Sequence, residues 1–126
     1  MRYFIFLLLS CLSVFTQAES GKKFLSLDLC QDWMLAYFGD LSSVVALSPI
    51  HTKYPSHLID LQEKSWPSHN GSLEQIVSLA PSAILVGEYN ALNLRQRLGQ
   101  LGFNVVVFKH PNSLDAIETY QQEFLK

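Results

Sequence analysis

Apolar positions along the chain follow two rhythms that meet abruptly. Leu73, Ile76, Val77 and Ala80 recur at i, i+3, i+4 and i+7, the spacing of one helical face. Ser72 can cap that helix, and Gln75 three residues later completes a capping box. Glu74 falls off the apolar face, which predicts an exposed carboxylate near the positive end of the helix dipole. Pro81 lacks an amide donor and pushes Ala80 out of the helical region. The run Ala83-Ile84-Leu85-Val86 follows at once and is closed by Gly87. A strand apolar on both sides is buried on both faces, as in a parallel sheet covered by helices.

The same rhythm extends over the chain. Phe24–Leu29 reads as a strand, Asp32–Phe38 as a short helix ended by Gly39, and Val44–Leu47 as a second strand stopped by Ser48-Pro49. Ile50–Asn70 is the least regular stretch, with Tyr54–Glu63 as a helical candidate. Helix Ser72–Ala80 and strand Ala83–Val86 come next. A helix over Ala91–Leu101 follows, with Leu94, Leu98 and Leu101 at helical spacing and Gly102 as its stop. Asn104–Phe108 is the fourth strand, and Ser113 caps a last helix running to Lys126. This alternation predicts an α/β fold, a three-layer αβα unit with a mostly parallel four-stranded sheet and right-handed crossovers. Ligands of such sheets sit outside the carboxyl ends of the strands. Those ends are Cys30–Asp32, Pro49–Tyr54, Gly87–Asn90 and Lys109–Asn112, with Ser65–Gly71 able to join them.

The first residues change the picture of the compartment. Arg2, an apolar run from Tyr3 to Phe15, and Thr16-Gln17-Ala18 predict a secretory signal peptide cut after Ala18. A lipoprotein signal at Leu8-Leu9-Ser10-Cys11 is the alternative; the apolar run continues past Cys11, and Leu9 is bulky for that site. Cleavage leaves one domain over residues 19–126, with 8 basic against 11 acidic residues and a single cysteine, Cys30. No internal disulfide can then form, and no basic surface suggests nucleic acid.

Catalytic signatures are missing: there is no G-x-S-x-G, no glycine-rich phosphate loop after a strand and no H-E-x-x-H. Asp28 and Asp32 flank Cys30 at a strand end, where a cap and a turn residue explain them better than a nucleophile site. His51, His57, His69 and His110 lie in or near loops without tight ligand spacing, which favours surface histidines over a metal site. Cys30 reads as a small buried hydrophobe. Tyr54 and Trp66 sit beside Pro55 and Pro67, where a large ring serves either as a loop anchor or as a ligand platform.

The signal peptide together with FLSLDLCQDWMLAYFGD, VVALSP, SLEQIVSLAPSAILVG, LGFNVVVF and NSLDAIETY resembles the amino-terminal lobe of a periplasmic substrate-binding protein of ABC importers for cobalamin, haem and ferric siderophores. Ser82 departs from the aspartate that usually follows the proline in this family. The resemblance implies a non-enzymatic lobe of a two-lobed binding protein in the periplasm, with its last residues near Leu125-Lys126 at the start of a long connecting helix. The second lobe and its docking glutamate are absent from these residues, and a lone lobe offers one open face to a ligand. By the same resemblance Tyr54 and Trp66 pack against a flat metal-chelate ligand (cobalamin, haem or an iron–siderophore complex), with no resident cofactor. Glu88 and Tyr89 edge the cleft, and Glu74 docks by salt bridge onto arginines of the membrane permease. The competing readings are a zinc or manganese receptor using the histidines, a secreted hydrolase fragment using Asp28 and Asp32, and a remnant without function.

Overall fold

The computed structural model of the chain describes residues 21–53 and 65–126. Its elements are β1 (Phe24–Ser26), α1 (Leu29–Phe38), β2 (Val44–Ala46), α2 (Ile50–Lys53), α3 (Leu73–Leu79), β3 (Ala83–Gly87), α4 (Leu92–Gln100), β4 (Val105–Phe108) and α5 (Leu114–Phe124). The expected signal peptide, Cys11, the helix expected over Tyr54–Glu63, His57 and the side chain of His51 all lie outside the described residues. The four strands form one sheet, wholly parallel, in the order β2-β1-β3-β4. Helices cover both faces, which is the α/β layering that the apolar runs predict.

Strand β3 shows why the unbroken run needs two covers. Ile84 and Val86 point to one face, where they pack with Leu25 of β1, Ile76 of α3 and Leu98 of α4. Ala83 and Leu85 point to the other, among Leu35 of α1, Trp66 and Phe108, with Tyr120 and Phe124 of α5 against them. Period-two alternation thus feeds two cores from one strand. In β2 the alternation slips: Phe24 pairs with Val44 but Leu25 pairs with Ala46, so Val45 is an extra residue. Val44 therefore serves the second core and Ala46 the first, although they are two apart.

The helices start and stop for local reasons. Asp28 caps α1 by accepting from the Gln31 amide, so the helix begins at Leu29 and not at Asp32, and β1 is correspondingly shorter than expected. Ser72 caps α3 and Ser113 caps α5 in the same way. Helix α2 lies in a stretch whose sequence reads as irregular. Pro49 precedes it, and the Ser48 hydroxyl accepts from the Ile50 amide at 3.3 Å. The capping box at α3 forms differently from expectation: Gln75 Oε1 accepts from the Asn70 amide, while Ser72 N donates to Asn70 Oδ1.

Two apolar stripes are also displaced. On α3 Leu73, Ile76 and Leu79 meet the first core, whereas Val77 is exposed. On α4 Leu94 and Leu98 pack, but Leu101 lies in the turn after the helix and is 58% exposed. Ala80 leaves the right-handed helical region, as Pro81 predicts, and adopts the left-handed one (φ 46°, ψ 55°). Its N–H bonds Val77 O at 3.2 Å, so one residue reverses the chain into β3 at a cost of about 1 kcal/mol.

Candidate functional site

The carboxyl ends of β1, β2, β3 and β4 share one edge, and a frame of buried polar groups holds their loops. Asp28 is its pivot. One carboxylate oxygen accepts from Gln31 N at 3.0 Å, and the other accepts from Gly87 N at 2.5 Å, tying the start of α1 to the end of β3. A side chain at position 87 would press on this tie, since a Cβ there lies 3.0 Å from Asn90 Nδ2 and 3.3 Å from Asp28 Oδ2. Asp32, fully buried, accepts from Ser48 N at 2.7 Å and from the Ser48 hydroxyl at 2.6 Å, which fixes the end of β2. Both carboxylates are thus committed to architecture. This agrees with the cap reading of Asp28 and gives Asp32 more than a turn to hold.

His69 departs from the expectation of a surface histidine. It is buried, its Nε2–H donates to Ser26 O at 2.7 Å, and its Nδ1 accepts from Gly71 N at 3.0 Å. This pairing describes a neutral ring with the proton on Nε2. Leu47 N donates to Pro67 O and His69 N to Leu47 O, so the segment before α3 runs alongside the end of β2. The start of α3 consequently lies at the same edge as the loops.

The loops after β3 and β4 are fastened to each other. Glu88 N donates to Phe108 O at 2.9 Å, and the Glu88 carboxylate accepts from His110 N at 2.6 Å. The Gly87 carbonyl accepts from Asn90 N and from Arg95 Nη1. On this platform the Tyr89 ring stands 74% exposed, edge-on to the exposed His110 ring with centroids 6.3 Å apart. An exposed aromatic pair beside a fixed carboxylate can stack on a flat ligand and offer it nitrogen and oxygen donors.

No family model matches the chain, and no curated protein matches it. Solved structures do. A periplasmic haem-binding protein from Pseudomonas aeruginosa superposes with a TM-score of 0.59 at 18% identity, over 82% of this chain and 37% of that one. A possible iron-binding, periplasmic solute-binding protein from Staphylococcus epidermidis gives 0.57 at 23% identity, over 78% and 38%. The periplasmic haem-binding protein RhuT from Roseiflexus gives 0.58 at 21% identity, over 82% and 41%. The chain has the fold of one lobe of a periplasmic solute-binding protein. It spans about two fifths of the length of these structures.

Within the lobe, the residues expected from sequence separate. Glu88 and Tyr89 come together at the carboxyl edge, joined by His110, whose sequence context alone suggests nothing beyond a surface histidine. Only the pairing of β3 with β4 brings 89 and 110 together. Trp66 is 9% exposed and packs in the second core, so it anchors its loop and leaves little ring for a ligand. Tyr54 lies outside the described residues. Glu74 is exposed in the first turn of α3, as its pattern predicts. Among the described residues no cluster of three or more histidine, cysteine or acidic side chains could hold a metal ion.

Proposed function

We propose that this lobe belongs to the periplasmic binding component of an ABC importer and receives a metal-chelate ligand of the haem, cobalamin or ferric-siderophore type. The observation that carries the reading is the exposed Tyr89–His110 pair, fastened through Glu88 at the carboxyl edge of a sheet with this fold. An aromatic platform with nearby donors suits a flat chelate with polar substituents. The lobe binds and hands over; no residue is assigned a catalytic role. Tyr54 extends the ligand face in this reading. Glu74 contacts permease arginines, and residues 1–18 direct export and are removed.

The test is a spectroscopic titration of the chain with haemin, cyanocobalamin and ferrichrome in parallel. One of the three should bind saturably, and Tyr89→Ala should weaken it by about 1–3 kcal/mol, the range for truncating an aromatic hot spot. Saturable binding of none, or binding untouched by Tyr89→Ala and His110→Ala, contradicts the assignment of this face.

A further inference from the structure

The turn that leads into α3 gathers reacting groups around one peptide bond, Asn70-Gly71. In such a pair the main-chain nitrogen of the glycine can attack the side-chain amide before it, because glycine has no side chain to shield that nitrogen. Gly71 has φ 83°, in the left-handed region that favours glycine. Asn70 is exposed, so water reaches its amide, and Gly71 is partly buried behind it.

The surroundings of the pair add what its sequence lacks. Gly71 N–H donates to His69 Nδ1 at 3.0 Å. His69 is buried, and its Nε2–H donates to Ser26 O at 2.7 Å, which keeps the Nδ1 lone pair aimed at the Gly71 amide. A base bonded to the nucleophile and oriented by a third group is the arrangement that activates weak nucleophiles. On the other side, Asn70 Oδ1 accepts from Ser72 N at 2.9 Å. That donor is placed to stabilise the oxyanion that forms when Asn70 Cγ is attacked. Gln75 Oε1 accepts from Asn70 N and holds the main chain of the same residue.

We propose that Asn70 is an autocatalytic modification site, where Gly71 N closes on Asn70 Cγ to give a cyclic imide that opens to aspartate or isoaspartate. As the N–Cγ bond forms, the Gly71 amide proton passes to His69 Nδ1. The proton then passes to Asn70 Nδ2, the Cγ–Nδ2 bond breaks with its electron pair on nitrogen, and ammonia leaves into solvent. Water opens the imide. Addition at Cγ leaves aspartate, and addition at the Asn70 main-chain carbonyl leaves isoaspartate. Water is the one co-reactant. Either product places a new carboxylate just ahead of α3, close in sequence to Glu74. Isoaspartate also lengthens the main chain by a methylene group, which the paired bonds of residue 70 to Ser72 and Gln75 do not fit. The site uses no residue assigned to the ligand or the permease, so it stands independently of the transport reading.

Peptide mapping by tandem mass spectrometry, on the purified chain held at neutral pH, follows the reaction against a synthetic peptide of residues 66–75. Asn70 should gain the mass of O in place of NH at least about tenfold faster in the folded chain than in the peptide, the least a positioned base contributes. Asn90, Asn93, Asn104 and Asn112 should stay unmodified over the same period. Hydroxylamine should trap the imide and cleave the folded chain between Asn70 and Gly71. His69→Ala should lower the rate in the folded chain to that of the peptide, while the same change within the peptide should not alter its rate. A folded chain that reacts no faster than the peptide, or a folded His69→Ala variant that reacts like its parent, overturns the proposal. Where His69→Ala fails to fold, the parent chain in denaturing urea decides: a fall to the peptide's rate supports the site, and an undiminished rate overturns it.

Discussion

The two faces of the sheet are built to different standards. Against α3 and α4, Leu25, Ile76, Ile84, Val86 and Leu98 are fully buried and form a closed apolar core. Against α1 and α5 the packing is open. A cavity remains, α5 buries no residue, and α1 sets Trp33, Tyr37 and Phe38 toward solvent while burying Gln31 and Asp32. The stacked Trp33–Tyr37 pair and the edge contact of Tyr37 with Phe38 make that outer side of α1 aromatic. The closed face supplies stability, and the buried polar groups beside the open face position loops.

Matched truncations should expose the contrast most strongly. Leu98→Ala, in the closed core, should cost about 2–5 kcal/mol, while Ile117→Ala on α5 should cost less than about 1 kcal/mol. Urea denaturation of the two variants measures both, and equal losses would erase the distinction. Next in size is the polar frame. Asp32→Ala removes the acceptor of the Ser48 amide and hydroxyl and should cost about 2–3 kcal/mol, read the same way.

On the open side the contrast should also depend on pH. Burial, opposed by the Gln31 hydrogen bond and helped by Cys30 and Asp28, pushes the Tyr120 phenol from its ordinary 10.0 up to about 12. The folded chain therefore keeps this proton more tightly than the unfolded chain. Its stabilising effect is complete below pH 10 and is lost as the pH rises through about 12. Thermal melts between those values should show a falling stability that Tyr120→Phe flattens. The least disturbance of the fold is expected at Glu74→Arg, under about 1 kcal/mol, because the side chain is exposed at the start of α3. In a two-lobed protein the same change should abolish association with the cognate permease, since charge pairs across an interface can contribute several kcal/mol. Unchanged association would return Glu74 to a helix-start role.

Much of the layering was legible because local rules agree with the tertiary ones. Ala83–Val86 is apolar on both sides and is covered on both. Ser72 and Ser113 cap where their side chains suggest. The sequence hid what depends on partners far along the chain. The histidine at 69 looks like any loop histidine until the carbonyl of Ser26 arrives beside its Nε2. Nothing local marks Val45 as an extra residue, because its cause is the pairing with β1. The cavity is equally silent, being a consequence of how little of α5 is buried. At the candidate site Glu88 and Tyr89 could be placed at a strand end, but His110 joined them only through the β3–β4 pairing.

If the carboxyl edge over β3 and β4 receives the ligand and the α3–α4 face does not, the two regions must respond differently to binding. Backbone amide chemical shifts, followed by NMR during titration with whichever of haemin, cyanocobalamin or ferrichrome binds, separate them residue by residue. The amides of residues 87–90 and of Lys109, His110 and Asn112 should move together and saturate at one affinity, with the amides of Ile76 and Leu98 unmoved. Shifts centred on α3 and α4, with the loops after β3 and β4 silent, would contradict the assignment of the ligand to this edge.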